Sequence, residues 1–178
     1  MTKLPNRHGG GAQTNINGLN FERSTSLNNA LKIFGYEIVD DHVYLNNIKI
    51  GISAPQNKIY KLFLEPRGIN YKDYNSKGWK PDEVFINFNT STVYIIEKKF
   101  QNVSGSVDEK LPNCHFKKLE YEKLCNPINF SVEFAYILSD WFEHPQYKDT
   151  LEYIENMGCH YFFNTIPLGF LGLQTNIV

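Results

Sequence analysis

Between Lys80 and Gln101 the chain reads KPDEVFINFNTSTVYIIEKKFQ, with an aspartate before one apolar run and a glutamate and two lysines at the end of a second. The β-branched and aromatic runs Val84 to Phe88 and Thr92 to Phe100, separated by Asn89, Thr90 and Ser91, predict a β-hairpin. Folding it about Thr90 brings Asp82 beside residues 97–99. A loop with an even number of residues sets Asp82 directly opposite Glu97 or Lys99. Alternation then puts Glu97, Lys99 and Gln101 on one face and turns Lys98 to the other. Two carboxylates held together raise each other's pKa, a cost that a hard divalent cation removes. Mg²⁺ uses one or two protein carboxylates and completes its shell with water and phosphate oxygens. A neighbouring lysine can hold or deprotonate an attacking water, so the set suits metal-assisted phosphodiester hydrolysis. The competing reading is a plain network of strand-end charges, with Asp82 and Glu97 pairing with Lys98 and Lys99.

The rest of the chain must position this hairpin. Residues 1–16, rich in Gly, Asn and Gln, are expected to form a flexible N-terminal arm, and 17–178 a single domain. Leu19, Leu27, Ala30, Leu31 and Phe34 recur near helical spacing, which predicts a helix from Asn17 to Phe34 ended by Gly35. Tyr36 to Ala54 predicts short strands with turns at Asp40-Asp41 and Asn46-Asn47. KIYKLFL is compatible with helix or strand. Both faces of Thr92 to Phe100 are apolar, with Tyr94 and Ile96 on one and Val93 and Ile95 on the other, as in a central strand covered by helices on both sides. Residues 106–125 predict a helix starting near Pro112, with Phe116, Leu119 and Leu124 as its apolar stripe. Then SVEFAYIL, YKDTLEYIENMG and HYFFNTI predict strand, helix and parallel strand, with Leu151, Ile154 and Met157 on the helix's inner face. The class is α/β with a central mixed sheet.

Composition narrows the function classes. The 178 residues carry 18 Lys+Arg and 19 Asp+Glu, a net charge of −1, which excludes a polybasic, tail-driven nucleic-acid binder but leaves room for local positive charge. Hydrophobic residues at 42% exclude a mostly disordered chain. Cys114, Cys125 and Cys159 have no CxxC spacing, and the five histidines show no zinc pattern. Neither a secretory signal nor a membrane span is legible, so a cytoplasmic location is expected. No Gly-Lys-Ser/Thr phosphate loop is present, so no nucleotide cofactor is expected. The tyrosines and tryptophan around Tyr71, Tyr74 and Trp79 are expected to pack on the core.

Pro81-Asp82 and Glu97-Lys98-Lys99 resemble the PD-(D/E)xK motif of the restriction-endonuclease-like nucleases, and the order of elements resembles that fold's αβββαβ core, with the motif on its second and third strands. The resemblance implies that Asp82 and Glu97 bind Mg²⁺, that Lys99 serves the nucleophilic water, and that Gln101 orients water or a backbone phosphate. It also implies a third metal-site acid on the first helix, where Glu22 stands; a solvated helix carboxylate is the equal alternative. The next segment, Gly105-Ser106-Val107-Asp108-Glu109-Lys110, is similar to the Gly-Asn-Ala-x-Glu-Arg segment with which some restriction enzymes read bases. Lysine replaces arginine there, and lysine lacks arginine's fork. With Ser104, Lys117 and Lys118, the residues Ser106, Asp108, Glu109 and Lys110 are candidate DNA contacts; a capped helix with a solvated, mixed-charge face is the bland alternative. The expectation is a Mg²⁺-dependent type II restriction endonuclease acting as a homodimer on double-stranded DNA and leaving 5′-phosphate and 3′-hydroxyl ends. The alternatives are a junction or repair nuclease of the same fold, and a non-catalytic DNA-binding module.

Overall fold

In the computed structural model, residues 18–103 and 105–174 are described. The N-terminal arm and Ser104 lie outside them. A seven-stranded mixed sheet runs in the order β2-β3-β4-β5-β6-β7-β8. Its strands are β2 (Glu37–Val39), β3 (His42–Leu45), β4 (Ile48–Ser53), β5 (Glu83–Asn87), β6 (Thr92–Lys99), β7 (Ser131–Leu138) and β8 (His160–Phe163). Strands β2 to β6 pair antiparallel, and β6-β7 and β7-β8 pair parallel. The parallel pairs are joined through α2 (Cys114–Cys125) and α3 (Lys148–Asn156). Counting β4, β5 and β6 as the three-strand meander, the hairpin with Asp82 and Glu97 forms its second and third strands.

The first strands follow from their turns. Asp40, Asp41, Asn46 and Asn47 all have positive φ, as the tight two-residue turns joining β2-β3 and β3-β4 require. Gly51 lets β4 lie against β5, because a Cβ there would sit 2.1 Å from the Ile86 carbonyl oxygen. The β5-β6 turn is set by Asn87, whose side-chain oxygen accepts from the Asn89 and Thr90 backbone N–H groups. KIYKLFL resolves as a π-helix over Ile59–Leu64, burying Ile59, Tyr60, Phe63 and Leu64.

The sheet separates two cores. Val84, Ile86, Val93 and Ile95 face a cluster built with the π-helix, α2 and α3, including Phe63, Tyr121, Leu124 and Ile154. Phe85, Tyr94 and Ile96 face a second cluster with Leu27, Leu31, Ile166 and Leu171. β6 is therefore covered on both faces, as its apolar pattern predicts.

Two expectations are corrected. The first helix, α1, spans only Leu27–Ile33, capped by Ser26, whose hydroxyl accepts from the Asn29 N–H. Gly18–Asn20 instead form β1, paired antiparallel with β9 (Thr165–Pro167) in a two-stranded sheet. Leu19 is fully buried there, opposite Ile166, so strand pairing wins over helical spacing. On α2 the stripe is different: Phe116 and Leu119 are 52% and 42% exposed, and the helix buries Cys114, Glu120, Tyr121, Leu124 and Cys125. Glu120 is buried because it accepts from Lys123 and from the Trp79 indole, and Trp79 lies 41 residues away in the chain, beyond the reach of any local pattern. Two of the loop aromatics do pack, Tyr71 against Tyr60 and Trp79 against Phe116, while Tyr74 is 40% exposed. Among the described residues no helix is long and apolar enough to cross a membrane.

Candidate active site

Glu83 pairs with Ile96, and the register continued one step sets Asp82 opposite Glu97. The Asp82 carboxylate is anchored there by the Lys98 backbone N–H, at 2.8 Å. On the face toward α2, Lys99 Nζ lies 3.1 Å from Glu97 Oε2 and 4.0 Å from Asp82 Oδ2. Lys117 of α2 approaches the other oxygen, Glu97 Oε1, at 3.3 Å. Glu97 is only 6% exposed, so two ammonium groups offset the cost of burying its charge. Tyr136, opposite Glu97 on β7, forms an aromatic floor 5.9 Å from Lys99 Nζ. Its hydroxyl is held by the Leu111 carbonyl, and burial pushes its pKa far up. Asp82, Glu97 and Lys99 are therefore brought together.

The opposite face of the same strand end holds a second charge pair. Lys98 Nζ bonds Glu83 Oε1 at 3.0 Å and the Thr25 carbonyl at 2.8 Å. Burial pushes the Glu83 carboxyl above its ordinary pKa, against the pull of Lys98. Glu83 is a buried polar residue that the sequence reading passed over; alternation and the hairpin register together placed it beside Lys98.

The remaining candidates are dispersed. Gln101 is buried, its backbone N–H and C=O both bonded to the Ser139 hydroxyl, and its side-chain Nε2 has no partner among the described residues. Glu22 sits in the exposed turn before α1, where its N–H donates to Thr25 Oγ1, rather than on a helix. Its neighbour Arg23 reaches the site end of β6, donating from Nη2 to the Phe100 carbonyl at 2.9 Å. Ser106, Glu109 and Lys110 are exposed, while the Asp108 carboxylate accepts from the Tyr147 hydroxyl at 3.1 Å. Lys118 points elsewhere, bonding the Gly158 carbonyl at 2.8 Å and standing 3.9 Å from Glu133. Lys117, a further candidate DNA contact, stands 3.3 Å from Glu97 Oε1.

The donor set fits a hard divalent cation. Asp82 Oδ2 and Glu97 Oε2 both face the position of one ammonium nitrogen, and Asp82 is open enough to solvent for water to complete a shell. Among the described residues no group of three or more His, Cys, Asp and Glu is preassembled for a metal; the two carboxylates brought together here are those of Asp82 and Glu97. The family model of the PD-(D/E)XK nuclease superfamily domain matches residues 24–124, more than half of the chain. No curated protein and no solved structure matches it.

Proposed function

The chain belongs to the PD-(D/E)XK nuclease superfamily, and from that premise we propose that it is a type II restriction endonuclease, cutting double-stranded DNA at a short specific sequence in a Mg²⁺-dependent reaction. The observation that carries the nuclease reading is the convergence of Asp82, Glu97 and Lys99 on one face of the β5-β6 hairpin. Bound Mg²⁺ would supply charge for the developing phosphorane-like transition state and lower the pKa of a water. Asp82 and Glu97 would hold the ion. Lys99, an ammonium group between the two carboxylates, holds the attacking water and offsets charge on the phosphate while solvent takes the water's proton, and Gln101, with its unpartnered Nε2, orients that water or a phosphate oxygen. Lys117 keeps the Glu97 carboxylate in place. Water attack on phosphorus with loss of the 3′ oxygen leaves a 5′-phosphate and a 3′-hydroxyl.

The restriction reading rests on Gly105 to Lys110. This segment leaves β6 at the site end, and its exposed Ser106, Glu109 and Lys110 are free to meet base edges, with Ser104 as a further candidate. Asp108 would contact DNA only by giving up Tyr147, and Lys118 only by leaving Gly158. Glu22 remains a candidate third acid, from the turn before α1. We take residues 17–178 to act as one nuclease domain and the active species to be a homodimer, since two-fold symmetry matches a palindromic site with one active site per strand.

Digestion of plasmid DNA with Mg²⁺, followed by end-sequencing, tests the proposal. Discrete fragments sharing one sequence at their ends are the expected result. A smear, or cutting confined to branched DNA, would replace it with the junction or repair reading. Binding with no cleavage at any divalent metal would leave a DNA-binding module.

A further inference from the structure

We infer that a cleft of about 380 Å³ beside Asp82, lined by Arg23, Gln56, Asp82, Lys98 and Phe100, is a second nucleic-acid subsite in which Arg23 and Gln56 hold a backbone phosphate next to the one being cut. It rests on the nuclease reading and deepens it. The argument begins from charge. The chain as a whole is at −1, so attraction to a polyanion must come from local cations that are not already neutralised. Around the hairpin end, Lys98 faces Glu83, Lys99 faces Glu97 and Asp82, and Lys117 faces Glu97. Arg23 shares the cleft with Asp82 but forms no ion pair among the described residues. One of its N–H groups is fixed on the Phe100 carbonyl, which holds the guanidinium at the cleft, and the others have no partner among the described residues. A planar donor fork is suited to two phosphate oxygens at once.

Gln56 supplies the second donor. It is exposed, and its backbone is in the left-handed region at φ +56°, which a non-glycine residue adopts at a cost. Its N–H donates to the Pro81 carbonyl at 2.9 Å, tying it to the residue before Asp82. A strained residue bonded to the motif's proline, with an amide side chain in the wall of a polar cleft, is placed for contact with a ligand. Because Asp82 lines both the cleft and the metal-binding face, a phosphate in the cleft belongs to the strand that reaches the site. Arg23 lies 59 residues before Asp82 in the chain, so local sequence gives no hint of the pairing.

Binding of a labelled duplex oligonucleotide by the full chain, without divalent metal so that nothing is cut, is measured between about 50 and 200 mM KCl. Arg23→Ala is expected to weaken binding about tenfold and to lower the log–log salt slope by about 0.9, the share of one phosphate contact. Arg23→Lys keeps the slope and loses part of the affinity. Because Arg23 also braces the Phe100 carbonyl, Gln56→Glu is the companion variant: it puts a negative charge in the cleft and is expected to weaken binding with melting temperature unchanged. Wild-type affinity and slope in both Arg23→Ala and Gln56→Glu would overturn the subsite, as would a wild-type chain that binds no duplex. Wild-type cleavage with unaltered binding in both variants sinks the subsite and spares the nuclease. The expected binding losses in a chain that never cleaves sink the nuclease reading and leave the cleft a phosphate-binding site without an adjacent cut, which overturns the subsite as proposed.

Discussion

Lys98 and Lys99 are neighbours on one strand, yet they end in different environments. Lys98 is engaged on the α1 face by a buried glutamate and the Thr25 carbonyl, so its charge is matched and its donors are occupied. Lys99 is on the α2 face, shared between Glu97 and a more open Asp82. A pair closed on itself holds α1's entry turn to the hairpin. A lysine between two acids, one of them reachable by water, is left with chemistry to do. The difference lies in what each face packs against, since residue type and strand are the same.

The largest effects are expected on the α2 face. Asp82→Ala, Glu97→Ala and Lys99→Ala are each expected to reduce Mg²⁺-dependent cleavage by about a thousandfold or more, while gel-shift binding of DNA survives; undiminished cutting by any of them removes that residue from the mechanism. On the α1 face, Lys98→Ala or Glu83→Ala strands a buried partner and is expected to cost about 3 kcal/mol of unfolding free energy in a denaturant titration. The double change Lys98→Met with Glu83→Gln should recover much of it. A Lys98→Ala chain of full stability but no cleavage would exchange the roles assigned to the two lysines.

Smaller effects sharpen the picture. Lys117→Ala frees one oxygen of Glu97, and calorimetry should show Mn²⁺ binding about fivefold tighter as a competing cation is removed. The Glu133-His160 pair, away from the motif, should have the least effect. The His160 hydrogen bond, with help from Lys118, holds the Glu133 carboxyl below its ordinary 4.5. A depressed folded pKa gives stability that is present above the unfolded value and lost as pH falls through the folded one. Melting curves of His160→Ala should therefore show their deficit against wild type near neutrality, and the two should converge as pH falls below about 4.5.

Much of the hairpin was legible because alternation and turn chemistry are local. The Asp40-Asp41 and Asn46-Asn47 turns, the Val84 and Thr92 runs and the opposite facing of Lys98 and Lys99 all follow from residues close in sequence. The misreadings share one cause. Leu19 fits helical spacing but pairs with a strand near the C-terminus, and Phe116 and Leu119 fit an inward stripe while the buried face is set by Tyr121, Leu124 and Glu120. Spacing reports a periodicity, and distant packing chooses which periodicity is used.

Local residue order suffices for a hairpin with an aspartate at one strand's start and a glutamate and lysine at the other's end, because two-residue alternation leaves little freedom once the turn is set. The partners of those charges come from packing: Lys117 reaches Glu97 from a helix, Glu83 is buried against Lys98, and Arg23 and Gln56 line a cleft with Asp82. Charges are selected by proximity in space, and proximity between residues far apart in the chain exists only after the two cores have packed against the sheet.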